Sequence, residues 1–322
     1  MSVVDNNNYI VELKKGNNYK PAEIGNKAYN LSLLIENDFN VPSGFVITSK
    51  AFNYYYNQNN INNKFNTNNY VPQDLLNEIE VAFNILKNSY QSFAVRSSAL
   101  VEDTKESSCA GLFNTELGVT TFVELKTAIL KCWSIFLEIL ADNNYLKKNS
   151  IGHSNISLPL IVQPLINPIS SGVLFSIHPI NGDFTKQVLE ASYGMCYGIV
   201  EGKIAVDRYI LDKFNNNITK DIAKKNSAYY FDYHSNKLLK KKLAKNLVSS
   251  ECITTLDISN LFHIADKVSN IMGYPQDIEW SIAEHKGSSL IYLLQTRPIS
   301  TISTVNQSNI IGRISSLFTN LI

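Results

Sequence analysis

A chain of 322 residues, 44% hydrophobic and 18% charged, carries enough apolar material for one large domain or two smaller ones sharing an interface, and this excludes a disordered tail or a mini-protein. Twenty-nine Lys and Arg against twenty-eight Asp and Glu leave a net charge of +1. No global field therefore favours nucleic acid or an anionic membrane, and any charged ligand must be held locally. The four cysteines, Cys109, Cys132, Cys196 and Cys252, lie far apart, with no CxxC and no metal-type spacing to histidine. The start of the chain lacks the basic-then-apolar order of a signal peptide, and no uncharged apolar stretch reaches the roughly 18 residues that would span a bilayer. The expectation is a reduced, cytoplasmic protein without a membrane or nucleic-acid partner.

In chain order, Ala28, Leu31, Leu34 and Ile35 recur at helical spacing from Asn26 to Asp38, and Val41-Pro42-Ser43-Gly44 then turns the chain into the strand-like Phe45–Thr48. Asparagine makes up about an eighth of the residues and concentrates in Asn57–Asn69, which reads as a solvated loop. Asp74–Asn88 and Thr121–Ala141 have the 3.6-residue period of surface-packed helices. Short runs rich in β-branched and aromatic residues, bounded by Gly, Pro, Ser or Asn, predict strands at Phe93–Arg96, Leu158–Gln163, Gly172–Ile177, Gln187–Ala191, Ile278–Ile282 and Leu290–Gln295. A further strand is expected at Ala228–His234 and a helix from about Ile258 to Met272. The lysine-rich Lys237–Lys245 between them reads as a solvated connection. Interleaved helices and strands without an internal repeat give a mixed α/β or α+β architecture.

The most informative segment is Pro275–Ser300, two strand-like runs joined by a Gly-containing turn. Strand alternation puts Asp277 and Glu279 on one face of the first strand, and Gln295 and Arg297 on one face of the second. A turn near Lys286–Ser288 sets Glu279 opposite Gln295 and Asp277 opposite Arg297. Two carboxylates, an amide oxygen and a guanidinium on one patch suit a Mg²⁺-polyphosphate, the oxygens ligating the ion and the guanidinium binding phosphate. An Asp–Arg salt bridge across a polar hairpin face is the alternative that spacing leaves open. A second constellation is Phe93–Thr115, where an apolar strand delivers Arg96 into a Ser-rich loop containing Gly111. Such a loop can cradle phosphate, or it can simply cap itself through its hydroxyls. Gly25–Leu31 places Lys27 at a helix start, where the backbone already favours anions.

The ordered set GNKAYNL, VPSGFVIT, FAVRSSALVEDTKESSCAGLFNT, QPLINPISSGVLFS, VLEASYG, VDRYILDK and PQDIEW…LLQTRPIS closely resembles the nucleotide-binding domain of phosphoenolpyruvate synthases, pyruvate phosphate dikinases and rifampin phosphotransferases. The resemblance runs from about Gly25 to Ser300. It implies an α+β, ATP-grasp-like fold of two mixed lobes, here drawn at 1–190 and 191–322, with the nucleotide cleft between them. It also implies ATP and Mg²⁺ as cofactors. By match to the family, Lys27, Arg96 and Arg297 bind ATP phosphates and carry catalysis, Gly111 and Thr115 line the phosphate loop, and Gln163 sits by the adenine side. Glu279 and Gln295 match the metal-proximal pair, with Asp277 beside them.

The departures are Asn26 where a second glycine is usual, Val101 before Glu102-Asp103, and His178 where the family has a small or acidic residue. A histidine in such a motif invites comparison with phosphohistidine, but the family's phosphorylated histidine belongs to a separate domain. The expectation is that the residues after Ser300 do not encode that swivelling domain, and that Ile310–Ile322 forms at most a short amphipathic helix.

The leading expectation is an ATP- and Mg²⁺-dependent phosphotransferase component. Its acceptor is a histidine on a separately encoded partner or a small molecule in the cleft. An ATP-grasp ligase working through an acylphosphate, and a non-catalytic nucleotide-binding subunit, are the competing expectations. Trp133 and Trp280 read as core or cleft wall, Cys196 as buried, and Arg208 as a nucleotide contact or a partner of Asp207 or Asp212.

Overall fold

The computed structural model describes residues 8–59, 61, 70–99, 115–141, 157–285 and 287–299. Five strands, β1 (Ile10–Glu12), β2 (Phe45–Ile47), β3 (Phe93–Ser97), β4 (Thr115–Val119) and β5 (Leu160–Pro164), form a sheet in the order β1-β2-β5-β3-β4. Alternation along the strands sends Phe45, Ile47, Phe93, Val95, Leu160 and Val162 to one face. There they meet helices α3 (Ser49–Gln58), α4 (Gln73–Lys87) and α5 (Phe122–Ala141) in a core that also holds Phe52, Tyr55 and Trp133. Trp133 is fully buried, and its indole N–H donates to the Leu158 carbonyl at 3.0 Å, so it is core as expected.

The opposite face carries Val46 and Ile161, which pack with Ala28, Leu31 and Leu34 of α2 (Asn26–Glu36). α2 follows the short α1 (Pro21–Ile24), and the chain turns between them at Gly25. There φ is +80°, and an added Cβ would lie 1.5 Å from the Ser98 carbonyl oxygen. Only glycine satisfies both constraints.

The second sheet has six strands in the order β13-β12-β6-β7-β8-β9. They are β6 (Ser170–Phe175), β7 (Lys186–Tyr193), β8 (Asp207–Asp212), β9 (Asn217–Asp221), β12 (Gln276–His285) and β13 (Ser288–Pro298). Leu174, Leu189, Tyr209, Ile278, Trp280 and Ile282 belong to the core formed with helix α7 (Thr255–Met272), which a Thr254–Asp257 capping box starts and left-handed Gly273 ends. Trp280 is fully buried in this core, so of the two expected roles it takes the core one. The core also includes α2, Val46 and Ile161, so one hydrophobic layer runs behind both sheets.

A two-stranded ribbon, β10 (Ser227–Asp232) with β11 (Lys237–Lys242), packs on the short α6 (Tyr197–Val200) and reaches β4. At β4 the Phe231 ring and Asn236 side chain fill the space where a Cβ on Gly118 would sit. The lysine-rich stretch is thus largely a strand, where a solvated connection was expected. Pairing of Phe231 with Leu238 and Tyr230 with Leu239 supplies the apolar cross-strand contacts, while Lys240–Lys242 stay exposed.

Every ladder among the described strands is antiparallel, and the helices lie outside the strand-to-strand connections of a parallel sheet, giving the expected α+β class. The chain passes from the first sheet to the second between Pro164 and Ser170. A boundary at 190/191 therefore falls inside β7, because the hydrophobic pattern of β6 and β7 belongs to the second sheet. No helix among the described residues is long and apolar enough to cross a membrane. Gly111, Cys109 and the Ile310–Ile322 segment lie outside the described residues.

Candidate functional site

β12 and β13 form the hairpin read from the sequence, with His285 paired to Ser288 and Gly287 at φ +79°. Their register sets Asp277 opposite Arg297 and Glu279 opposite Gln295, as the alternation argument required. Across the other edge of β12, Asp277 faces Phe175 and Glu279 faces Val173. The four polar side chains thus stand on the face of the second sheet turned away from α7.

Arg297 Nε donates to Asp277 Oδ2 at 2.9 Å, so the salt bridge offered as an alternative exists. It leaves Asp277 Oδ1 buried without a hydrogen-bond partner. Burial pushes the Asp277 carboxyl above the usual carboxylate range, with Arg297 pulling it part of the way back.

Past Glu279 the hairpin register slips: Glu279 pairs with Gln295 but Trp280 pairs with Leu293. Leu294 is the extra residue of this bulge. Its carbonyl accepts a 2.6 Å hydrogen bond from Arg96 Nη1, delivered from β3 of the first sheet. Arg96 Nη2 donates to Gln295 Oε1 at 3.0 Å and lies 3.7 Å from Glu279 Oε2, with both charged side chains only 16% exposed. Arg96 therefore ties the two sheets together at the polar patch.

The remaining expected residues fall around this junction. Thr115, exposed at the start of β4, is the cross-strand partner of Arg96. Lys27 is buried in the first turn of α2. That turn abuts the end of β3, since Ser98 Oγ accepts from the Ala28 N–H at 3.0 Å. α2 also touches β13, where Asn30 Nδ2 donates to the Thr296 carbonyl at 3.0 Å. Gln163 lies on the Arg96 face of the first sheet, one same-face position along. It is buried, and its Nε2 donates to the Pro42 carbonyl at 2.7 Å, so its amide nitrogen braces the 42–44 turn.

Cys196 is buried over Val173 and Ile199. Burial, with Glu279 and Asp277 nearby, raises its thiol well above the ordinary value, which leaves it unreactive. His178 belongs to a turn, its Nδ1 accepting from the Ile180 N–H at 3.4 Å. Arg208 pairs with neither Asp207 nor Asp212. Its guanidinium donates to Glu190 Oε1 at 2.6 and 3.0 Å, on the same sheet face as Glu279, because cross-strand neighbours and not sequence neighbours share a face. Glu190 and the Leu294 bulge are the parts of this site that the sequence reading missed. Glu190 could have been found from strand alternation in VLEASY once β7 was paired with β8.

Among the described residues no three His, Cys, Asp or Glu side chains converge as a metal cluster. The donor set at the patch is instead two carboxylates and an amide oxygen, all hard oxygens, with one carboxylate oxygen orphaned at Asp277. That chemistry fits Mg²⁺ shared with phosphate oxygens, an ion that prefers few protein ligands. The guanidiniums of Arg96 and Arg297 supply the anion-binding half.

The family model of the pyruvate phosphate dikinase AMP/ATP-binding domain matches residues 66–316 of this chain. The match includes Arg96, Gly111, Thr115, Gln163, Asp277, Glu279, Gln295 and Arg297, and begins after Lys27. The uncharacterized phosphotransferase YvkC of Bacillus subtilis is 32% identical over 86% of this chain and 33% of its own length. A probable phosphoenolpyruvate synthase of Methanothermobacter thermautotrophicus is 26% identical over 88% of this chain and 45% of its own. The rifampicin phosphotransferase of Bacillus cereus is 32% identical over 68% of this chain and 24% of its own. The chain thus spans less than half the length of these relatives. A D-alanine–D-alanine ligase of Bacillus anthracis aligns with 84% of this chain and 55% of its own at a TM-score of 0.36 and 7% identity, a loose likeness that says nothing of substrate.

Proposed function

The chain belongs to the pyruvate phosphate dikinase AMP/ATP-binding domain family, and from that premise we propose that it is the ATP-handling part of a Mg²⁺-dependent phosphotransferase, with an ATP-grasp-like cleft between its two sheets. The observation that carries this reading is the convergence of Arg96 from the first sheet on Glu279 and Gln295 of the second, beside the Asp277–Arg297 pair. Two fixed cations and a set of hard oxygen donors at a junction of sheets match the charge of a metal-bound polyphosphate.

In this reading Arg96, Arg297 and Lys27 bind the phosphate oxygens, Gly111 and Thr115 border them, and Gln163 holds the wall towards the base. Glu279, Gln295 and Asp277 hold the metal. Bound Mg²⁺ neutralises charge on the transferring group. The guanidiniums do the same as permanent charges, so catalysis rests on orientation and electrostatics and needs no protein nucleophile. The phosphorus–oxygen bond to the nucleotide breaks as a bond to the acceptor forms. That acceptor is a histidine on a partner domain or a small molecule in the cleft, and a cytoplasmic location accompanies the proposal.

The test is thermal stability with and without Mg·ATP, for the wild type and Arg297→Ala, because a ligand that binds only the folded state raises its melting temperature. The expected outcome is a Mg²⁺-dependent rise in the wild type that is lost in the variant. No rise in the wild type overturns the nucleotide site.

A further inference from the structure

We propose that Arg96 holds the place of a divalent cation at Glu279 and Gln295, so that metal binds there only together with the nucleotide's phosphates. The inference rests on the nucleotide reading above and adds an order to it. Gln295 Oε1, the neutral oxygen donor of the patch, already accepts from Arg96 Nη2 at 3.0 Å. The same guanidinium makes the only ion pair of Glu279 among the described residues, at 3.7 Å. Its other amino group is tied to the Leu294 carbonyl that the bulge exposes. Asp277 is held in the same way by Arg297. Glu190, on the same face, is held by Arg208. Each of these carboxylates thus stands against a guanidinium, and the patch is balanced.

A divalent cation arriving alone at Gln295 and Glu279 would sit within a few ångströms of the Arg96 guanidinium. It would leave the patch with an excess of positive charge in a mostly buried place, where repulsion is weakly screened. Arg96 cannot relieve this by losing a proton, since guanidinium stays charged. A polyphosphate changes the balance. It offers Arg96 anionic, bidentate acceptors in place of a neutral amide and a neutral carbonyl, and adds the negative charge that a metal then offsets. Arg96 moves from protein oxygens to phosphate oxygens, and Gln295 and Glu279 are released to the metal. By linkage, metal and nucleotide must tighten each other by the same factor.

The test uses Mn²⁺ alone, followed by the loss of its free six-line electron paramagnetic resonance signal as the whole chain is titrated without nucleotide. Expected is no site in the wild type at concentrations where Arg96→Ala binds, a gain of at least about tenfold from removing the competing charge. Adding Glu279→Gln to Arg96→Ala should abolish the gained site. Arg96→Gln, which keeps a donor for the Leu294 carbonyl, serves if the alanine variant does not fold. Wild-type binding of Mn²⁺ equal to that of the variants, no binding by either variant, or a gained site that survives Glu279→Gln would each overturn the proposal. Because no nucleotide is present, this failure is distinct from failure of the nucleotide reading, which shows as no thermal shift with ATP.

Discussion

Two groups of buried charge in this molecule look alike in a list and differ in kind. At the back of the second sheet Asp207 and Lys225 form an ion pair in which both side chains are fully buried. Asp207 Oδ1 also accepts from the Ala223 N–H and Oδ2 from the Cys252 N–H, each at 3.1 Å, and Lys225 Nζ donates to the Ala223 carbonyl at 3.1 Å. Both carboxylate oxygens are engaged. At the polar patch of the hairpin, by contrast, Asp277 keeps a buried oxygen with no partner, and Glu279 has a guanidinium no nearer than 3.7 Å. Fully engaged charge fixes a loop, whereas under-engaged charge at a junction of sheets is what a ligand can complete.

The comparison breaks most forcefully at Lys225. Lys225→Met leaves the Asp207 carboxylate buried and uncompensated, which should cost about 3–5 kcal/mol in urea unfolding. Lys225→Met combined with Asp207→Asn should recover much of the loss, because the amide oxygen still accepts from a loop N–H and no bare charge remains. Any of these proteins that folds should keep the Mg·ATP-dependent thermal shift. Loss of that shift in a well-folded double variant would mean that the back pair belongs to the site after all.

The hairpin was legible in the sequence because alternation puts Asp277 with Glu279, and Gln295 with Arg297, on one face, and a turn centred near Gly287 pairs them. The observed turn pairs His285 with Ser288, a register that would set Glu279 opposite Leu294 if no residue were added, so the bulge is what restores the expected pairs. The bulge at Leu294 was not legible. One extra residue in a run of leucines leaves no pattern, yet it supplies the carbonyl that Arg96 uses. The partners of Arg208 and Gln163 were hidden for a related reason. Glu190 is 18 residues from Arg208 and Pro42 is 121 from Gln163, distances that only strand pairing and a turn can close. The lysines of β11 misled because charge suggested solvent, while Tyr230 and Phe231 across the ribbon decided for a strand. The hydrophobic layer that α2 shares with both sheets was also invisible, since each helix periodicity reports a face and not what covers it.

A smaller effect sharpens the cleft half of the comparison through pH. Burial raises the Asp277 carboxyl, against the partial pull of Arg297, so the native chain keeps that proton to higher pH than the unfolded chain does. From the unfolded value of about 4 up through the raised native value, stability therefore falls as pH rises, and below about 4 the contribution is fully present. Asp277→Asn removes the titration. Its melting temperature should gain on the wild type as pH climbs from about 4 through that window, then run parallel. A difference independent of pH would show that Asp277 is as well compensated as Asp207.

The smallest effect separates engagement from burial, because both earlier groups are buried and only their engagement differs. Glu124, partly exposed in the first turn of α5, accepts from the Thr120 N–H at 2.7 Å, the Thr120 hydroxyl at 2.8 Å and the Thr121 N–H at 3.1 Å. The Thr120 backbone bond leads the causes that hold its carboxyl below the ordinary range, against some burial. It is engaged like Asp207 and open to water unlike it. Its stabilisation is present above the unfolded glutamate value and is lost as pH falls through the lowered native one. Glu124→Ala should cost only about 1 kcal/mol near neutral pH, the usual worth of a helix-start contact, with the deficit shrinking in acid. A deficit as large as that of Lys225→Met would mean that hydrogen-bond engagement alone sets the cost, and that burial, the variable separating Asp207 from Glu124, contributes little.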